Sequence, residues 1–169
     1  MQSARHSDAA GPANIEVTVA WENGVPSFDP APLVRAVHVA LDLHPCPAAR
    51  LHIALVGDAR IAELNLRFLG HEGPTDVLSF DMRDSGSQAI EGEIVVSCET
   101  AIREAAARSK SVDHEAALYA VHGTLHLLGY DDGSPEQAST MRRLQDEILR
   151  RAGMKSDPEE RPPTQASCN

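Results

Sequence analysis

Residues 77–97 read VLSFDMRDSGSQAIEGEIVVS, two apolar runs with a short polar stretch between them. Val77–Met82 and Glu91–Val96 read as strands. They are joined too closely for a helical crossover, which a parallel pair requires, so any sheet containing both is mixed. Working outward, Ile15–Trp21 (IEVTVAW) alternates apolar and polar residues as a half-buried strand does, and Leu51–Val56 (LHIALV) reads as another. Asp29 and Pro30 open a helix through Val34, Val37, Ala40 and Leu41, and Asp58 caps one carrying Ile61, Leu64 and Phe68. After Ser97 the pattern is helical throughout. An alanine-rich helix spans 98–109, Asp113 caps a longer one to about Leu128, and the capping box of Ser134, Pro135 and Gln137 opens a last one ending near Gly153. The order β-α-β-α-β-β-α-α-α implies a single α/β (α+β) domain, a mixed four-stranded sheet surrounded by five to six helices. It occupies residues 15–153, between a polar N-terminal segment (1–14) and a proline-bearing tail (154–169), both expected to be disordered.

The chain has 169 residues with 42% hydrophobic and 24% charged, an ordinary globular composition. Cys46, Cys98 and Cys168 show no CxxC spacing, which argues against a disulfide framework or a cysteine zinc site. The first residues contain no apolar h-region and no run approaches the ~18 residues of a membrane span, so the expected location is cytoplasmic.

The chemistry concentrates in His122–Asp132, HGTLHLLGYDD. His122 and His126, four apart on a helix, project from one face about a turn apart, close enough to share an ion. Gly129 can end the helix in a left-handed conformation and turn Asp131 or Asp132 back toward them. Two histidines, a carboxylate and a fourth position left to water form the ligand set of a catalytic zinc site. The spacing matches the metalloprotease pattern HExxHxxGxxH, with Gly123 in place of the glutamate and Asp132 in place of the third histidine. Peptide hydrolysis at such sites uses that glutamate to move protons, and glycine cannot do so. Phosphodiesters offer an alcohol leaving group and, in RNA, an internal 2′-hydroxyl nucleophile, so the pattern leans toward phosphodiester chemistry.

HGTLHLLGYDD followed by Met141 and Glu147, with Glu63–Asn65 (ELN), Pro74–Phe80 (PTDVLSF) and Gly92–Ser97 (GEIVVS), resembles the YbeY family of metal-dependent single-strand endoribonucleases. The likeness covers roughly residues 50–150, with several motifs in order. It implies one Zn2+ per chain on His122, His126 and Asp132, with Asp131 supporting them. It also implies an endoribonuclease acting in 16S (small-subunit) rRNA 3′-end maturation and late ribosome quality control. The expected partners are rRNA and the small ribosomal subunit or its biogenesis factors, with neither DNA nor membrane.

Two positions depart from the family pattern. The third ligand, histidine in HGxLHLxGYDH, is Asp132 here; carboxylate oxygen is a zinc ligand, and its charge lowers the ion's effective charge. The arginine of YRGKDxPTDVLSF is Leu69, which cannot pair with phosphate. Arg67 and His71 are the nearby candidates to replace it. Thr75 and Asp76 either order the loop beside the site or form a capped turn. Met141, Leu144 and Ile148 make a helical core stripe. Arg142, Arg143, Arg150 and Arg151 share that helix; a solvated face accounts for them, with Arg142 and Arg143 as candidates for RNA contact.

The formal net charge is −10, awkward for a protein that grips phosphates. Residues 15–97 hold twelve acidic and five basic residues and 111–133 hold four acidic ones, whereas 98–110 and 134–153 are each +1. RNA contact is therefore expected at the metal and the two late arginine-bearing helices, weak on free RNA and aided by the ribosome. Two other readings stand beside the nuclease: a ribosome-biogenesis binding factor with a structural metal, favoured by Leu69, and a metallopeptidase, disfavoured by Gly123.

Overall fold

The computed structural model describes residues 14–44 and 46–154. Its elements are β1 (Asn14–Trp21), α1 (Ala31–Asp42), β2 (Ala48–Val56), α2 (Asp58–Leu69), β3 (Val77–Asp81), β4 (Ile90–Ser97), α3 (Cys98–Arg108), α4 (Val112–Leu127) and α5 (Pro135–Arg151). This is the order expected from the sequence, with five helices among the described residues. The four strands form one sheet in the order β1-β2-β4-β3. β1 and β4 run parallel to β2, with Ile53 opposite Ile94, and β3 runs antiparallel to β4, with Ser79 opposite Ile94. The short β3–β4 connection is what makes the sheet mixed.

Alternation along the strands divides the apolar residues between two faces. Leu51, Ile53, Leu55, Ile94 and Val96 are fully buried in the main core with α1, α4 and α5. Val56, Val95 and Leu78 face the other side, where Ile61 of α2 covers them with Leu64 and Phe80. This second cover is partial: Leu66, Phe68 and Leu69 of α2 and Met82 after β3 are each more than half exposed.

α4 is the central helix, and ten of its residues are buried, from Glu115 to Leu127. Such all-round burial needs backbones that approach closely. Gly92 allows it on β4, since a Cβ there would lie 2.7 Å from Leu127 Cδ1 and 2.8 Å from the Phe80 carbonyl oxygen. Gly123 allows it on α4, where a Cβ would lie 3.0 Å from Ile94 Cγ2 and 3.3 Å from Val77 Cγ2.

Three helix starts differ from expectation, and at α2 the reason is that tertiary partners claim the capping side chain. α1 begins at Ala31, after Pro30, with the Ala31 amide donating to Asp29 Oδ1 at 2.9 Å. α2 is capped by Gly57, and the Asp58 carboxylate instead accepts from Ser97 Oγ (2.5 Å), Thr100 Oγ1 (2.9 Å) and Arg103 (2.5 Å). α4 is capped by Ser111, whose Oγ accepts from the His114 amide at 3.2 Å, and Asp113 lies in its first turn. The capping box at Ser134 and Gln137 is present as read.

Asn14 belongs to β1, and Met154 packs against the core with its amide donating to the Leu149 carbonyl at 2.9 Å. Of the segments 1–14 and 154–169 expected to be disordered, all but Asn14 and Met154 lie outside the described residues, as does Cys168. Cys46 and Cys98 are free thiols; burial, with Glu99 and Glu22 nearby, pushes Cys98 up to about 11. Among the described residues no helix is long and apolar enough to cross a membrane.

Candidate metal centre

The last turn of α4 builds the site. Gly129 adopts φ +92°, its amide donating to the His126 carbonyl (2.9 Å) and the Tyr130 amide to Leu125 (3.0 Å). This paired closure ends the helix and folds the chain back across its own C-terminus. The Tyr130 carbonyl then lies 3.1 Å from His126 Nδ1. A carbonyl only accepts, so Nδ1 carries the proton and His126 Nε2 presents its lone pair outward. The Tyr130 hydroxyl is fixed in turn by His44 at the end of α1. His44 Nδ1 donates to the Ala40 carbonyl (2.7 Å), leaving Nε2 to accept the phenol proton (2.8 Å).

His122 Nε2 stands 3.0 Å from His126 Nε2. Asp132, on the returning chain, places Oδ2 3.6 Å from His122 Nε2 and Oδ1 3.9 Å from His126 Nε2. One ligand atom from each of the three lies within 4.8 Å of the others. Tetrahedral zinc with bonds of ~2.0–2.2 Å needs donors ~3.3–3.6 Å apart. The two nitrogens stand at 3.0 Å and each has a different Asp132 oxygen at 3.6 or 3.9 Å, so the three residues are grouped closely enough to close on one small ion with an open fourth position. Burial lowers the His122 pKa, neighbouring His126 lowers it further, and Asp132 and Asp76 oppose the shift. The ring is thereby kept neutral, as a ligand must be.

Asp131 is outside the cluster. Its Oδ1 accepts from the Asp132 amide at 2.8 Å, steadying the backbone that carries Asp132. Asp76 lines the groove beside the histidines, its Oδ1 accepting from Thr75 Oγ1 (3.0 Å) and the Val77 amide (2.9 Å) at the start of β3. These two bonds tie Thr75 and the first amide of β3 to the Asp76 carboxylate beside the site. Met141 is buried in the core.

The cluster opens into a groove of about 700 Å³ between α4, β3 and the end of α2. Phe68, Leu69 and Phe80 line it, and among the described residues no lysine or arginine does. Arg67 is turned away. It lines a second groove of about 610 Å³ over the partly covered sheet face, its guanidinium 5.3 Å from the Phe68 ring centroid. The two grooves share Phe68 and Phe80, whose rings meet edge to face at 5.1 Å. His71, Arg142 and Arg143 are exposed and line neither groove.

The side chain that sequence reasoning missed is Gln145. It is buried on α5, and its amide nitrogen lies 2.8 Å from His122 Nδ1. Its signal was a polar residue on the same helical face as Met141 and Ile148.

Known proteins resemble this chain in sequence and in fold. The family model described as Endoribonuclease YbeY matches residues 31–153. Curated relatives named endoribonuclease YbeY include those of Mycolicibacterium paratuberculosis (36% identical over 145 residues) and Mycobacterium bovis (37% over 148). Each alignment covers 80% of this chain and 82% of the relative. Among solved structures, a Thermotoga maritima protein determined in solution superposes with a TM-score of 0.54 at 25% identity, covering 87% of this chain and 99% of its own. The chain belongs to the endoribonuclease YbeY family.

Proposed function

We propose that the protein is a zinc-dependent, single-strand-specific endoribonuclease of the cytoplasm that matures the 3′ end of small-subunit rRNA and takes part in late ribosome quality control. The observation that carries this reading is the His122, His126 and Asp132 cluster at the mouth of an open groove in a chain of this family. Zinc held there supplies Lewis acidity toward a phosphodiester and a water acidic enough to react near neutral pH. The chain's own groups do the rest. His126, aimed by the Tyr130 carbonyl, and His122 offer neutral nitrogens. Asp132 adds a negative charge that tempers the ion, and Asp131 holds the Asp132 backbone in place.

Gly123 gives the peptidase reading no base, and the space beside it is filled by Ile94 and Val77. A single strand entering the metal groove crosses the Phe68–Phe80 pair, where a base can stack, and meets Arg67 in the adjoining groove. Arg142, Arg143 and His71 are outer contacts, used when the small subunit presents the RNA.

A second reading, a biogenesis factor with a structural metal, is favoured by the absence of lysine or arginine from the metal groove among the described residues. Cleavage assays on unstructured RNA separate the two. The nuclease reading expects activity that chelation removes and zinc restores; a purified protein that binds zinc and the small subunit but leaves RNA intact under all conditions supports the second.

A further inference from the structure

Three hydrogen bonds through the site form a directed chain. The Gln145 side-chain nitrogen lies 2.8 Å from His122 Nδ1 and, being an amide nitrogen, can only donate. His122 Nδ1 therefore accepts, and in the neutral ring the proton sits on Nε2. That Nε2–H donates across 3.0 Å to His126 Nε2, whose own ring proton is on Nδ1 and donates to Tyr130. The arrangement is self-consistent, but it differs by one tautomer from the arrangement an ion requires. A metal bound by both Nε2 atoms needs a lone pair on each, so the His122 proton must move to Nδ1. There it would face the Gln145 nitrogen, donor against donor. Rotating the amide by 180° removes the conflict, because Oε1 then accepts Nδ1–H.

We propose that Gln145 is a positioning residue whose amide has two settings, nitrogen toward His122 when the histidines bond to each other and oxygen toward His122 when both ligate a metal. The inference rests on the metal reading above and adds to it a residue on a different helix that sets how tightly the ion is held. No proton is gained or lost in the change; it transfers between the two nitrogens of His122. Asn or Gln is suited to this because its amide offers a donor and an acceptor on one rotatable plane, whereas a carboxylate only accepts and an aliphatic chain does neither. Gln145 is 9% exposed, so water competes poorly for the contact. His126 has no such freedom, since a backbone carbonyl fixes its tautomer permanently.

The test compares full-length wild type, Gln145→Glu and Gln145→Leu, with Zn2+ and Co2+ as probes and a chromophoric chelator as competitor. Imidazole 15N shifts of His122 report its tautomer directly. Expected results are Nε2–H in chelator-treated wild type and Nδ1–H after zinc is added. Gln145→Glu should be Nδ1–H from the start and bind zinc at least as tightly as wild type. Gln145→Leu should bind about 10- to 100-fold more weakly, the usual loss when a ligand histidine's outer partner is removed. Similar affinity in all three proteins, or weaker binding by Gln145→Glu, overturns the inference. If Gln145→Leu does not fold, Gln145→Glu and the wild-type tautomer change decide alone. A wild type that binds no zinc overturns both this inference and the metal reading beneath it.

Discussion

The Nε2 atoms of His122 and His126 stand 3.0 Å apart, and both rings are held from behind by groups on other parts of the chain. His126 is held by the Tyr130 carbonyl on the turn that follows α4, and His122 by Gln145 on α5. Asp132 reaches the pair only because Gly129 reverses the chain.

Asp132 is therefore expected to behave as a ligand. Wild type should hold one zinc per chain, and Asp132→Ala should weaken binding at least 10-fold, measured by chelator competition. Asp132→His, which offers a third imidazole in place of the carboxylate, should retain the metal. Full zinc affinity in Asp132→Ala would remove the residue from the site.

Restoring the metalloprotease glutamate should not create a peptidase. At position 123 a side chain starts 3.0 Å from Ile94 Cγ2 and 3.3 Å from Val77 Cγ2, inside the contact between α4 and the sheet. Gly123→Glu combines overpacking with a buried, unpaired charge and should cost more than about 4 kcal/mol. Thermal denaturation should show a protein that does not fold. A folded Gly123→Glu protein would contradict the packing argument.

The start of α2 carries an acid-sensitive latch. Burial raises the Asp58 pKa, but hydrogen bonds from Ser97, Arg103 and Thr100 more than offset this and hold it below its ordinary value. With the folded value below the unfolded one, stabilisation is full above about pH 3.9 and is lost as pH falls through the folded value. Asp58→Asn should cost about 1–3 kcal/mol at pH 7 by urea denaturation, and the gap from wild type should narrow toward pH 2.

The assignment of an RNA path to the shared wall of the two grooves can be checked without touching the metal. Phe68→Ala should weaken single-strand RNA binding by about 1–3 kcal/mol, the range for loss of one base-stacking ring. Arg67→Ala should reduce binding and flatten its salt dependence by about one phosphate contact. Zinc affinity should be unchanged in both. Unaltered RNA affinity in the two variants would place the strand elsewhere.

The element order was legible because each strand and helix carries its own period, and the mixed character of the sheet because the β3–β4 connection is too short for a helical crossover. The paired histidines and their carboxylate were legible because they lie on one helix and the turn after it. What could not be read locally were side chains claimed by distant partners. Asp58 looks like a cap until α3 brings Ser97, Thr100 and Arg103 to it. His44 looks like an ordinary helix-end residue until Tyr130 arrives from across the fold. Gln145 stands in a core stripe as a polar interruption, and only the packing of α5 on α4 shows that His122 is its partner. Arg67 is close in sequence to Leu69, but two positions along a helix turn it into the other groove.

The central claim is that the histidine pair performs RNA cleavage rather than holding a structural ion. The most direct measurement is the 3′ end of small-subunit rRNA in cells lacking this protein and supplied with either wild type or a folded His122→Ala, His126→Ala double variant. Wild type should restore the mature end, and the double variant, at equal abundance, should leave the unprocessed end. Full restoration by the double variant would contradict the account and favour a binding factor.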